Sequence, residues 1–224
     1  MRVLLIGSRG SIGRRYMSIL NYLGIEVEGY DTLDHGHVIR DFHNEHDDSF
    51  DKAIIASPTL THYFYCKKLL EMNKPFLVEK PLSRFPGECA DLIALDKNKL
   101  GRIVCNYLYA LDGHKPAFYD YYNTGGDGVL WDLSQLIYMN PKIEISTRSP
   151  IWKLMRDDGV RVTYDELESS YIFMVKDFLD VDNLGHADRL WTLEDGLRMT
   201  EAVRLREIDE IQMNEHRGME GENP

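Results

Sequence analysis

Cysteine is scarce: the chain has three, Cys66, Cys89 and Cys105, with no metal-ligand spacing. So sparse and odd a set excludes a disulfide framework and suits a reducing cytosol, so a cytoplasmic protein is expected. Long hydrophobic runs are missing too, and none approaches the roughly 20 residues that cross a bilayer. The opening MRVLLIGSRG is apolar too briefly for a secretory leader. A glycine turn stands where a cleavage site would, so it reads as a first strand. Basic charge is in deficit: 26 Lys and Arg face 37 Asp and Glu, for a net charge of -11. That balance excludes nucleic acid and anionic membrane as general partners. No internal repeat or low-complexity segment appears, and a hydrophobic content of 43% excludes a disordered composition.

What is present is an alternation of strands and helices. Residues 2–6 are almost wholly apolar, as a parallel strand buried on both faces must be. Residues 11–23 carry Ile12, Tyr16, Ile19, Leu20 and Leu23 on one helical stripe, and Gly24 ends it. Strands are expected at 27–30, 52–56 and 76–78, and helices at 59–72 and 85–99. This pattern predicts a doubly wound parallel sheet over residues 1–102. Beyond it, 103–109, 142–148, 152–155 and 160–163 read as strands without intervening helices. A small α+β domain with a reduced, mostly antiparallel sheet is therefore expected over 103–214. It closes with helices at 165–179 and from Thr192, where Thr192 and Asp195 form a capping box. Residues 215–224 read as a disordered tail.

The first turn carries the clearest chemistry. Gly7-Ser8-Arg9-Gly10-Ser11-Ile12-Gly13 joins the first strand to the first helix. Gly7 leaves the strand where a side chain would obstruct, Gly10 admits a pyrophosphate, and Gly13 allows close helix–strand contact. The helix start then offers free N–H groups to the phosphates. Asp31 ends the second strand, 18 residues after Gly13. A carboxylate there accepts ribose hydroxyls and repels a 2′-phosphate, so NAD is the expected cofactor.

With GSIGRR stand three further stretches: DKAIIASPTLTH (51–62), LLEMNKPFLVEKPLS (69–83) and GDGVLWDLSQLIYM (126–139). Together they resemble the glucose-fructose oxidoreductase and inositol dehydrogenase (Gfo/Idh/MocA) family, and YIFMVKDFL…WTLEDGLRMTEAV resembles that family's close. The resemblance implies a Rossmann domain, a substrate domain whose open sheet often makes dimer contacts, and a sugar, nucleotide-sugar or polyol substrate. A homodimer or higher homo-oligomer is thus expected, with a shortened second domain. It places Ser57, Pro58, Thr59 and His62 along the cofactor, and Lys80 beside the nicotinamide. An ammonium there stabilises negative charge developing on the reacting oxygen. Glu79 orients Lys80 or meets the cofactor, and the family often has a cis bond near Pro81. The other reading of Glu79 and Lys80 is a surface ion pair.

The chain departs from the family where catalysis is centred. The family pattern Asp-x-x-His-x-x-Asp reads here Asp132-x-x-Gln135-x-x-Tyr138. Glutamine hydrogen-bonds a hydroxyl but cannot take its proton. Lys80 is then the candidate catalytic group, Asp132 and Gln135 position substrate, and Tyr107 or Tyr138 is a candidate relay. Leu108 takes the place of the family's arginine; His114 and Lys115 face the pocket or lie in a loop. His35, His37, His43 and His46 fit no sharp metal template and read as a solvated loop, so no metal is expected. The alternative function is a degenerate member that binds NAD(H) or a sugar as a sensor or scaffold without turnover.

Overall fold

The computed structural model describes residues 1–31, 49–121, 129–180 and 186–220. Its first part is a five-stranded parallel sheet: β1 (Arg2–Ile6), β2 (Glu26–Tyr30), β3 (Lys52–Ile55), β4 (Phe76–Val78) and β5 (Gly101–Ile103), in the order β2-β1-β3-β4-β5. Helices α1 (Ser11–Tyr22), α2 (His62–Glu71) and α3 (Pro86–Leu95) connect strands. Val3, Leu4, Leu5 and Ile6 are fully buried because β1 lies inside the sheet and is covered on both faces. Pro86 starts α3 from the N1 position, where its missing N–H costs nothing. Asp96 stops that helix, its carboxylate accepting the N–H groups of Leu100 (2.7 Å) and Gly101 (3.0 Å).

β1 has β2 on one side and β3 on the other, so the connections that leave the carboxyl ends of β1 and β3 run in opposite directions. Parallel sheets open a crevice at such a reversal. The ends of β1, β3 and β4 all face it.

The remaining elements are α4 (Asn106–Ala110), β6 (Pro116–Asp120), α5 (Val129–Asp132), α6 (Ser134–Met139), β7 (Glu144–Ser146), β8 (Lys153–Arg156), α7 (Tyr164–Leu179) and α8 (Leu193–Glu220). The second sheet is small and mixed, in the order β7-β6-β8, with β6 parallel to β7 and antiparallel to β8. Its core gathers Trp131, Leu136, Ile137, Trp152 and Leu154. Tyr171, Met174 and Phe178 of α7, with Trp191, Leu193 and Met199, pack instead into the core of the parallel sheet. Capping boxes start both long helices: Thr163 with Glu166 for α7, and Thr192 with Asp195 for α8. All three cysteines are buried and free. Among the described residues no helix is long and apolar enough to cross a membrane.

Three local expectations change. The strand expected over 103–109 divides into β5, paired with β4, and the helix α4. Asn-Tyr-Leu-Tyr-Ala suits either period for so short a run. Packing on α7 decides it: Tyr109 donates to Asp177 at 2.6 Å, and the Cys105 N–H meets Met174 Sδ at 3.2 Å. The strand expected over 160–163 reduces to one bridge, Met155 to Arg161. The centre of the second sheet is β6, which opens on Pro116 and lacks a clear apolar alternation. At the chain's end α8 runs on to Glu220, past the expected start of the tail, and residues 221–224 lie outside the described residues.

Candidate active site

The glycine turn is fixed by contact. Gly7 has φ +80, and a Cβ there would lie 2.6 Å from the Ser57 nitrogen. At Gly13 a Cβ would lie 2.0 Å from the Gly7 carbonyl oxygen, so only a hydrogen lets α1 come this close to the turn. Gly10 has no comparable internal demand: its Cβ would come no nearer than 3.4 Å to any other part of the protein. No side chain caps α1, and its first turn holds no acid. Its opening N–H groups therefore suit an anion. Asp31 lies at the end of β2, where its Oδ2 accepts the Arg9 N–H at 3.1 Å and ties the turn to the strand.

Next to this turn is a cavity of about 630 Å³. One side comes from the parallel sheet: Ser11, Ile12 and Arg15 of α1, the stretch Ala56 to Thr59 with His62 after β3, and Glu79 and Lys80 after β4. The other side comes from later elements: Asn106 and Tyr107, Tyr119 and Tyr121, Asp132 and Leu133, Trp152, and Leu167 and Tyr171. Among the expected cofactor residues, Ser11, Ile12, Ser57, Pro58, Thr59, His62, Glu79 and Lys80 thus share one wall.

His62 is a staple in that wall. Its Nδ1 lies 2.9 Å from the Pro81 carbonyl and its Nε2 2.8 Å from that of Ser57. The Lys80–Pro81 bond is cis. Glu79 is buried, accepting from the Tyr16 hydroxyl at 2.8 Å and the Lys80 N–H at 3.2 Å. Burial pushes its carboxyl above the usual range; Lys80, the Tyr16 bond and Arg15 pull it back in part.

Lys80 joins the two sides. Its Nζ donates to the Asp132 backbone carbonyl at 2.8 Å and lies 3.7 Å from Asp132 Oδ1. Both side chains are about one-fifth exposed, at 21% and 22%, so this is not a fully solvated surface pair. Asp132 Oδ2 is buried, with no hydrogen-bond partner among the described residues.

Gln135 does not reach the cavity. It is 1% exposed; its Oε1 accepts the Tyr107 N–H at 3.3 Å, and its Nε2 donates to Asn106 Oδ1 at 3.0 Å. Tyr138 is also elsewhere, donating to Asp195 at 2.8 Å beneath Trp191. Tyr107 does line the cavity, but burial pushes its phenol up to about 12, so near neutral pH it is a donor rather than a base. Leu108 packs toward the core of the parallel sheet, and His114 sits at the surface with Asp157 and Asp158, 3.1 and 3.5 Å away. His35, His37, His43 and His46 lie outside the described residues.

Several lining residues escaped sequence reasoning. Arg15 lies one helical turn from Ser11, so the period marked it as a neighbour of the phosphate end. Tyr119 and Tyr121 are two apart, as one face of a strand requires. Tyr171 stands on one face of the helix expected at 165–179 with Leu167 and Met174, a signal of packing rather than of a site, and Trp152 gave no local signal.

Comparison with known proteins bears on the fold that carries this cavity. Residues 1–107 match the family model described as an oxidoreductase family with an NAD-binding Rossmann fold. No curated protein matches the sequence. Among solved structures, a probable dehydrogenase from Thermotoga maritima is similar with a TM-score of 0.69 at 14% identity, covering 91% of this chain and 95% of that one. A myo-inositol dehydrogenase from Corynebacterium glutamicum has a TM-score of 0.61 at 12% identity, over 91% and 94%. The WlbA (WbpB) dehydrogenase from Thermus thermophilus, solved with NAD and UDP-GlcNAcA, has a TM-score of 0.59 at 16% identity, over 92% and 94%. At such identities the likeness is one of fold.

Proposed function

Because residues 1–107 belong to the NAD-binding Gfo/Idh/MocA oxidoreductase family, we propose that the protein oxidises or reduces a carbon of a small sugar or polyol, with Lys80 handling the proton. The observation that carries this reading is the Lys80 ammonium in the cavity wall, held by the Asp132 carbonyl at 2.8 Å. The residues suit the cofactor: an uncapped helix start for the pyrophosphate, an open face at Gly10, and Asp31 for the ribose. When bound, NAD supplies the hydride acceptor or donor.

The rest falls to the chain. Lys80 Nζ has three N–H donors, one of them spent on Asp132. A second meets the reacting oxygen. In reduction the ammonium gives that oxygen a proton as negative charge develops on it. Oxidation runs the same transfer in reverse, the hydroxyl proton passing to Lys80 Nζ. Asp132 keeps the lysine directed at the cavity. Tyr107, Tyr119 and Trp152 give the facing wall an aromatic surface beside the polar groups of Asn106 and Asp132, a mixture that small-molecule sites use. Sugar-like substrates gain support from neighbours of this fold, one named a myo-inositol dehydrogenase and one solved with a nucleotide-sugar.

The test is Lys80→Ala. Turnover of sugars and polyols, followed by nicotinamide absorbance, should fall by about 100-fold or more, while NADH affinity measured by calorimetry changes less than about threefold. Unchanged turnover would remove Lys80 from the chemistry. A second reading, ligand binding without turnover, is favoured by Gln135, which cannot serve as a base and has both ends of its amide engaged. Binding of NADH and a polyol with no absorbance change in the wild type would select it.

A further inference from the structure

We propose that Gln135 is a positioning residue that sets the carboxamide of Asn106, so that Asn106 Nδ2 and Asp132 Oδ2 together bind hydroxyl groups of a neutral polyhydroxyl substrate. This rests on the oxidoreductase reading above and names the chemistry its substrate must present.

The logic is one of donors and acceptors. A backbone N–H can only donate, so the Tyr107 N–H at 3.3 Å requires the Gln135 oxygen to face it. Gln135 must then turn its Nε2 the other way, toward Asn106 at 3.0 Å. An NH2 group can only donate, so Asn106 must answer with Oδ1. Its own Nδ2 is left over. Thus a backbone group of α4, through one side chain, decides which way a second amide points.

That leftover donor is placed where it has a use. Asn106 is 1% exposed and lines the cavity, and its Nδ2 is buried without a hydrogen-bond partner among the described residues. Asp132 Oδ2, in the same lining, is a buried acceptor without one. Each left unpaired is costly in a folded protein. A hydroxyl both donates and accepts, and a polyol presents several. One can donate to Asp132 Oδ2 while it or its neighbour accepts from Asn106 Nδ2. A carboxylate ligand would satisfy Asn106 but repel Asp132. An ammonium ligand would satisfy Asp132 but crowd Lys80, whose Nζ stands 3.7 Å from Asp132 Oδ1. A neutral ligand suits all three.

The experiment uses NADH-saturated full-length protein titrated by calorimetry with neutral cyclitols, aldoses and alditols, myo-inositol and D-glucose included. The wild type is expected to bind at least one. Asn106→Asp keeps the shape but turns the donor into an acceptor. Gln135→Glu accepts the Tyr107 N–H and also demands a donor from Asn106, which turns that amide over. Each should weaken polyol binding by about tenfold or more while NADH affinity stays within about twofold. Gln135→Met, which frees the amide without adding charge, should lie in between and guards against misfolding of the glutamate variant. Added to Asn106→Leu, Gln135→Glu should cost nothing further, because it acts through Asn106.

Additive losses in that pair, an unchanged affinity in Asn106→Asp, or a loss of NADH binding in either single variant would overturn the proposal. So would an NADH-loaded wild type that binds none of the polyols. A wild type that fails to bind NADH would overturn the oxidoreductase reading as well.

Discussion

The two walls of the cavity are built by different means. The wall from the parallel sheet rests on a backbone cradle: behind it Gly7 and Gly13 bring a turn and a helix within reach of a single hydrogen, and the strand ends carry the side chains of Glu79 and Lys80 into the wall. The wall from the later elements is made of side chains: Tyr107, Tyr119 and Trp152 with the short polar series Asn106 and Asp132. A backbone cradle tolerates almost no substitution, because nothing in it can rotate away. A side-chain wall can be re-shaped residue by residue, which is how one fold comes to act on different small molecules.

The largest effect should come from breaking the cradle. In Gly13→Ala the new methyl would lie 2.0 Å from the Gly7 carbonyl oxygen, a backbone atom with no rotamer to change. We expect a loss of about 1–3 kcal/mol or more in urea unfolding, and NADH affinity at least about tenfold weaker. A variant with wild-type stability and affinity would show that α1 can shift freely away from the turn.

A smaller effect should come from Glu79, which stands in the first wall beside Lys80. Burial raises its carboxyl in the folded protein, so ionising it opposes folding. Its contribution therefore favours the fold fully below the unfolded carboxyl value, and is lost as pH rises through the raised folded value. Glu79→Gln keeps an acceptor for the Tyr16 hydroxyl and removes the titration. Urea midpoints taken between about pH 5 and about pH 8 should favour the variant increasingly as pH rises. Parallel curves for the two proteins would show that Lys80 and Arg15 offset the burial fully.

The contrast also explains what was legible in the sequence. Local rules wrote the cradle: a strand buried on both faces, glycines at a turn, a helix stripe, and an acid at the end of the next strand. Each of those signals lies within one element or its neighbour. The second wall is written over long distances. Tyr119, Trp152 and Tyr171 meet only after β6, the stretch before β8 and α7 have packed, and β6 itself was hidden by Pro116 at its start. Gln135 shows the limit most clearly. Its place in the motif suggested substrate contact, yet a short helix turns it inward to Asn106 and the Tyr107 N–H. Motif spacing gives a residue's neighbours along the chain, not the direction of its side chain.

Tyr138 gives the smallest expected effect and tests the same point. Its place in the motif made it a candidate proton relay. Its hydroxyl instead donates to Asp195 Oδ1 at 2.8 Å, and its ring meets Trp191 edge-on with centroids 5.2 Å apart. The other oxygen of Asp195 caps α8 by accepting from the Thr192 N–H and hydroxyl, at 2.8 and 3.0 Å. Tyr138→Phe keeps the ring contact and removes one hydrogen bond to a carboxylate that is already engaged. The loss should be about 1 kcal/mol in urea unfolding, with turnover and NADH affinity both within about twofold of the wild type. If turnover fell instead by tenfold or more, on the order of a lost acid–base group, Tyr138 would have to reach the reacting atoms, and the division between the cavity walls and the helix behind them would be drawn in the wrong place.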